Sequence, residues 1–383
     1  MRTLVVALCF GLLLAGYAWA DSLNVRRVGQ CGTPSTARGL AVVGDYAYIA
    51  CHLAGLRVIS VADPEHPSEV GYLGNLRAAA TIAANGSYVY VGTSAYGLKI
   101  VSVTDPQHPV EVGSIKTPIE PAGLFAEEGY VYVADYDSGL RIISVSDPAN
   151  PVEVGHCSTP GSCQCVAVVG DYAYAGDSDS GLAVVSVADR AHPTEIGHCA
   201  TLGGAVGVAV AGSHAYVASY MGGFRVVSIS DPSHPSEVGN SGPGLANAVD
   251  VNGDKAYVGA DFGGLRVISV ADPPNPAEVG YYSLPEGVSG VVAAGEYIYL
   301  ANSFDGLQIL QYFESGIEES HQPLAQSRKL AATVIRNLPA GAVAFDAMGR
   351  RVVNLTPGIY FMWEEPLASS SKPQAVRKVV VTR

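Results

Sequence analysis

Residues 55–71 read GLRVISVADPEHPSEVG. An apolar run opens on Gly55, breaks at Asp63-Pro64, passes through His66-Pro67 and enters a second run ending in Glu69-Val70-Gly71. The chain rewrites this phrase. Gly-opened runs recur at Gly55, Gly97, Gly139, Gly181, Gly223, Gly264 and Gly306, spaced by 42, 42, 42, 42, 41 and 42 residues. The first six run into Asp63, Asp105, Asp147, Asp189, Asp231 and Asp272, each with a proline four residues on. Asp bonds back to nearby backbone and Pro fixes φ, so each phrase encodes a strand, an enforced turn and a second strand.

A second ladder runs in step. Tyr48, Tyr90, Tyr132, Tyr174, Tyr216, Tyr257 and Tyr299 sit in short runs such as YAYIA, each after a glycine-bearing turn such as VGD or NGD. Such turns between apolar runs mark hairpins. One unit therefore holds four strands: a (GLAVV), b (YAYIA), c (GLRVISV) and d (SEVGYL). Four short strands at a period near 42 predict an all-β fold, a β-propeller of four-stranded blades. The last unit stops after strand c at Tyr312, while LNVRRVGQCGTP near the start matches the strand d phrase NPVEVGHCSTP. Residues near 23–31 are thus expected to complete a seventh blade and leave no open sheet edge.

Composition agrees. Of 383 residues 48% are apolar and 15% charged, too apolar for disorder. Residues 21–327 carry 12 Lys+Arg against 32 Asp+Glu, a net of −20, and residues 328–383 carry 9 against 3, a net of +6. The acidic body should repel nucleic acid and anionic membranes, and the change of sign predicts a second module. Residues 1–20, with Arg2, an apolar core and Ala18-Trp19-Ala20, read as a secretory signal peptide. No later run is long enough to span a membrane. The expected layout is a signal peptide (1–20), a propeller (21–312), a linker (313–327) and a small C-terminal β-sandwich (328–383).

The phrases resemble LVIVD repeats, which belong to bacterial and archaeal surface proteins and imply a β-propeller without any general chemistry. The tail, FDAMGRRV followed by PGIYF and RKVVVTR, is similar to C-terminal type IX secretion sorting domains of the FlgD-like, immunoglobulin-like kind. That resemblance implies a sorting module marked by Gly349, Arg350, Gly358, Tyr360 and Lys378, with secretion machinery as its partner and the cell surface or exterior as the destination.

Chemistry in a repeat protein should break the repeat. His66, His108, His192 and His234 hold equivalent places in separate units and cannot meet on one metal ion. Along strand a, the equivalent positions read Arg38, Ala80, Gly123, Gln164, Val206, Asn247 and Ser289, and Asp250 is the one polar residue three places on; Arg38, Gln164, Asn247 and Asp250 are expected to ring the mouth of the channel. They contain no nucleophile–base pair. The b–c connections should gather on one rim, showing Tyr96, Tyr136, Asp137, Tyr220, Phe262, Phe304 and Asp305, with Asp135, Asp177, Asp179 and Asp261 nearby. Aromatic rings beside polar acceptors suit protein or glycan contact. Paired aspartates such as Asp177 and Asp179 suit Ca²⁺; no other cofactor is expected. Six cysteines follow the leader, and Cys31–Cys51 and Cys157–Cys163 are the candidate local disulfides. The reading is a monomeric, exported, non-catalytic interaction scaffold for an extracellular protein or glycan. The alternatives are a channel-mouth hydrolase or lyase using Asp250, Arg38 and Asn247, and a calcium-stabilised structural protein.

Overall fold

The computed structural model describes residues 22–314, apart from residues 95, 96, 128, 179, 243 and 262, and the backbone of four short strands in the tail. Residues 1–20, expected to be a signal peptide, lie outside the described residues. The chain divides into two compact units between Ile317 and Glu318.

The first unit is a seven-bladed propeller. Six blades are consecutive antiparallel sheets; blade 1, for example, is Gly39–Val43, Tyr46–Cys51, Gly55–Ser60 and Ser68–Leu73. Blade 7 takes strands a to c from Val288–Ala294, Tyr297–Asn302 and Gly306–Tyr312, and its strand d from the N-terminal Val25–Cys31. The register runs from Val25 opposite Tyr312 to Cys31 opposite Leu307. The residues just before it, Ser22–Leu23, add a fifth strand to the outside of blade 6. One N-terminal stretch therefore ties the last two blades together.

The opening phrase now has a physical account. In blade 1, Asp63 accepts the Glu65 N–H through Oδ1 at 3.1 Å, meets His66 Nδ1 through Oδ2 at 3.0 Å, and its carbonyl accepts the His66 N–H at 3.1 Å. The turn is closed within itself and pushes its proline carbonyl outward against the preceding blade. There it meets the glycine of Glu-Val-Gly. A Cβ on Gly71 would collide with the Pro106 carbonyl, and one on Gly113 with the Pro148 carbonyl. Turn and glycine are thus the two halves of one joint between neighbouring blades. Blade 7 has no such turn, and at its seam Gly280 faces the Leu23 carbonyl and the Tyr312 ring instead.

Each seam has its own apolar cluster. Blades 1 and 2 bury Leu56, Val58, Leu76 and Ile82 together, and the closing seam between blades 7 and 1 buries Leu307, Ile309, Ala47 and Ile49. A single blade leaves one such face bare, so the ring is stable only as a ring. At the seam between blades 3 and 4, polar groups add a pin. Arg190 bonds both Glu127 and the Tyr132 hydroxyl at 2.9 Å, and Tyr132 donates to Glu127 at 2.8 Å. Burial, followed by the Glu127 contact, pushes the Tyr132 phenol up to about 12.

A finer rule alternates along the ring. Next to the channel, strands a and b face each other through one glycine pair per blade: Gly39–Ala50, Thr81–Gly92, Gly123–Ala134 and Cys165–Gly176. The glycine changes strand from blade to blade through blade 6. Blades 7 and 1 both carry it on strand a, as Gly290 and Gly39. The alternation breaks where an odd number of blades must close.

The second unit shows one antiparallel sheet in the order Arg351–Val352, Ala342–Phe345, Gly358–Glu364, Arg377–Val381. The rest of the expected sandwich lies outside the described residues.

Candidate functional site

Strand a starts at the same end of the propeller as the b–c and d–a connections, so that end gathers those connections around the first residues of the innermost strands. The central cavity, about 240 Å³, is walled by the first residues of all seven strands a, including Arg38, Gln164, Asn247 and Ser289. A second cavity of about 530 Å³ shares Gln164, Asn247 and Ser289 and extends to Ser178, Gly203 and Tyr220. Of the expected rim residues, Tyr220 lines this second cavity beside Gln164 and Asn247 of the expected mouth. Neither cavity is lined by an aspartate or a glutamate.

Asp250 stands apart from the other three and corrects the expected quartet. Its Oδ1 accepts the Val251 N–H and its Oδ2 the Ala293 N–H of blade 7, both at 2.8 Å. It lies three residues further along strand a, where the carboxylate serves as a clasp between the innermost strands of blades 6 and 7. Burial raises its pKa, and the two N–H bonds oppose that rise. The hydrolase or lyase trio of Asp250, Arg38 and Asn247 is therefore not assembled.

Arg38 is exposed, and among the described residues its guanidinium has no hydrogen-bond or ion-pair partner. By contrast, strand c cations are spent on strand d glutamates, as in Arg57–Glu69 at 3.1 Å and Arg141–Glu153 at 2.9 Å. Arg38 reaches two rim residues electrostatically. The His52 imidazole is lowered first by burial and then by Arg38. The Tyr136 phenol is raised by burial and by Glu120, with Arg38 opposing.

Three b–c connections are stiffened by isolated bridges to the next blade, His52 to Ala79, Tyr136 to Cys163 and Tyr220 to Ala246. Tyr136 holds φ of 46° and exchanges backbone bonds of 2.9 and 3.0 Å with Cys163. Its ring is half-buried, whereas Asp137, Phe304 and Asp305 are exposed. Tyr96, Asp179 and Phe262 lie outside the described residues. Sequence reasoning missed the aliphatic part of this rim. Leu202 and Met221 are each 71% exposed, and Leu53 and Ile119 also face solvent there. The signal was present, since each is a large apolar residue within a connection rather than a strand.

Of the aspartates in the paired reading, Asp179 lies outside the described residues, and Asp177 and Asp135 both accept bonds from backbone N–H groups, although Asp135 Oδ1 is buried without a hydrogen-bond partner among the described residues. Asp177 is buried and accepts the Gly161 and Ser180 N–H groups. Asp135 is buried and accepts the Ile119 N–H at 3.2 Å; its pKa is raised chiefly by burial. Among the described residues no three His, Cys, Asp or Glu side chains are placed to hold a metal ion. The four repeat histidines sit on the opposite rim, each against its own aspartate at 2.9–3.0 Å.

The candidate disulfides Cys31–Cys51 and Cys157–Cys163 are not formed, and all six cysteines are free thiols. The thiols turn to backbone oxygens instead: Cys51 donates to the Ser35 carbonyl at 3.0 Å and Cys157 to that of Ser158 at 3.6 Å. Burial pushes the Cys163 thiol well up, and that of Cys165 to about 12, which keeps both protonated and unreactive.

A closed ring of seven four-stranded blades with a polar channel mouth defines a β-propeller protein. The LVIVD repeat matches residues 34–73, 77–117, 123–159, 160–201, 202–241 and 243–283, so the chain belongs to the LVIVD repeat family. No curated protein matches the sequence. Among solved structures, virginiamycin B lyase from Staphylococcus aureus superposes with a TM-score of 0.62 at 15% identity, over 76% of this chain and 99% of that one. U3-55K gives 0.61 at 12% over 75% and 98%. The computationally designed Ika8 protein gives 0.57 at 10% over 75% and 100%. At these identities the likeness is one of fold alone.

Proposed function

We propose that this protein is an exported, non-catalytic interaction scaffold, secreted or held at the cell surface, which binds an extracellular protein or glycan on the rim formed by its b–c and d–a connections. The observation that carries this reading is the concentration of exposed apolar side chains, Leu53, Ile119, Leu202, Tyr220, Met221 and Phe304, around one polar mouth. Large apolar residues grouped on one exposed end mark a contact surface. Export rests on the leader-like segment 1–20, and the sorting role of residues 328–383 on their resemblance to secretion tails.

The test is to add labelled full chain to whole cells of the producing organism. Phe304→Lys with Met221→Lys should lower retention by about tenfold or more, since charge enters the contact surface. Val169→Lys, at the opposite end of the propeller, should leave it unchanged. Equal retention by all three would sink the rim reading. In parallel, a chain ending at Tyr312 should stay inside the envelope while the full chain leaves it; equal behaviour would remove the sorting role.

A further inference from the structure

We propose that the channel mouth takes a carboxylate side chain from an acidic polypeptide segment, with Arg38 as its receptor. This rests on the rim being the contact surface. The body carries a net charge of −20 between residues 21 and 327, yet no acid lines either cavity at the mouth. The one cation of the lining is Arg38, unpartnered among the described residues. Nothing structural holds it there. Ala80, Ala122 and Val206 occupy the same position in other blades, shown by the shared backbone bond to strand b in Arg38, Ala122 and Val206.

The polar groups that line the cavity with it are neutral and suit a hydrogen-bonding acid; Glu120, which like Arg38 acts on Tyr136, lines neither cavity. Gln164 and Asn247 offer amides, and Ser289 a hydroxyl, on the same wall. His52, its imidazole lowered by burial and by Arg38, stays uncharged at neutral pH and adds no second cation. A guanidinium bonds a carboxylate through two parallel N–H groups. The cavity of about 240 Å³ admits the end of an Asp or Glu side chain and not a folded element.

The apolar shelf decides the kind of ligand. Leu202, Tyr220 and Met221 lie on blade 5, and Tyr220 and Gly203 also line the outer cavity. Leucine and methionine beside the Tyr220 ring give a peptide aliphatic anchors that a sugar chain, which stacks on rings, would leave unused. An acid with apolar residues close to it in an exposed segment fits both features at once.

The probes are a phage-displayed random dodecapeptide library, panned on the full mature chain, and polygalacturonate as a sugar acid. Recovered peptides should carry Asp or Glu beside apolar residues. In fluorescence anisotropy, Arg38→Met should weaken such a peptide by about tenfold. Changing the peptide's acid to its amide should cause the same loss, without adding to that of Arg38→Met. Met221→Lys should weaken it as well. Peptides that lack an acid, or that ignore Arg38→Met while losing affinity with Met221→Lys, would overturn the carboxylate site and leave the rim reading intact. Peptides indifferent to both substitutions would remove the rim reading too. Arg38-dependent binding of polygalacturonate, with no peptide recovered, would overturn the polypeptide assignment.

Discussion

A chain beginning at Gly32 should melt about 10–20 °C below the chain beginning at Ser22. The missing residues are strand d of blade 7 and the added edge of blade 6. Val25 is buried in the seam between those blades, and Leu310 and Ile309 lie beneath the lost strand. Burying one such side chain is worth about 1.5–3 kcal/mol, so the loss is on the order of 5 kcal/mol. For a domain of this size each kcal/mol moves Tm by about 2–4 °C. The closed ring also becomes an open one with a bare sheet edge, which favours association of chains. Differential scanning calorimetry with light scattering reads both effects. An unchanged Tm without aggregation would mean that the N-terminal strand does not close the ring.

Gly113→Val should cost about 3 kcal/mol or more. Gly113 pairs with Ile100 across strands c and d of blade 2. A Cβ there would run into the Pro148 carbonyl, which the Asp147–Asn150 turn of blade 3 holds in place through a 2.8 Å side-chain bond. Backbone cannot retreat from a new side chain as a flexible side chain can, so strain falls on the whole joint. Gly32→Ala is the control, because nothing lies within 4 Å of a Cβ at that position. Urea titration of both variants measures the difference. A Gly113→Val chain as stable as Gly32→Ala would show that the turn and the glycine are not two halves of one joint.

The architecture was legible because the repeat is strict. Spacing gave the blade, the interrupted last unit gave the missing strand, and residues near 23–31 were found as Val25–Cys31 in that strand. What escaped has physical causes. Counting back from the turn glycine puts Gly123 beside Arg38, yet Ala122 stands there, because the glycine of blade 3, Gly129, sits one place nearer strand b than Gly44 does in blade 1. Asp250 was the right residue to notice, but the sequence could not show that both its oxygens are taken by neighbouring N–H groups. Cys157 and Cys163 are close along the chain and near enough to interact, yet both are free thiols, and Cys157 donates to the Ser158 carbonyl. The exchange of glycine between strands a and b needs a ruler two blades long, which the 42-residue period conceals. Leu202 and Met221 were legible as large apolar residues in connections, but attention to rings and carboxylates passed over them.

The central claim is that contact happens at one end of the propeller, and a photo-crosslinking amino acid placed in the full chain on living cells tests it most directly. Placed at Phe304, on the b–c rim, it should yield discrete adducts with a recurring partner; placed at Val169, at the opposite end, it should yield none. Adducts from Val169 with none from Phe304 would contradict the account and move the contact surface to the turns that carry the Asp-Pro phrases.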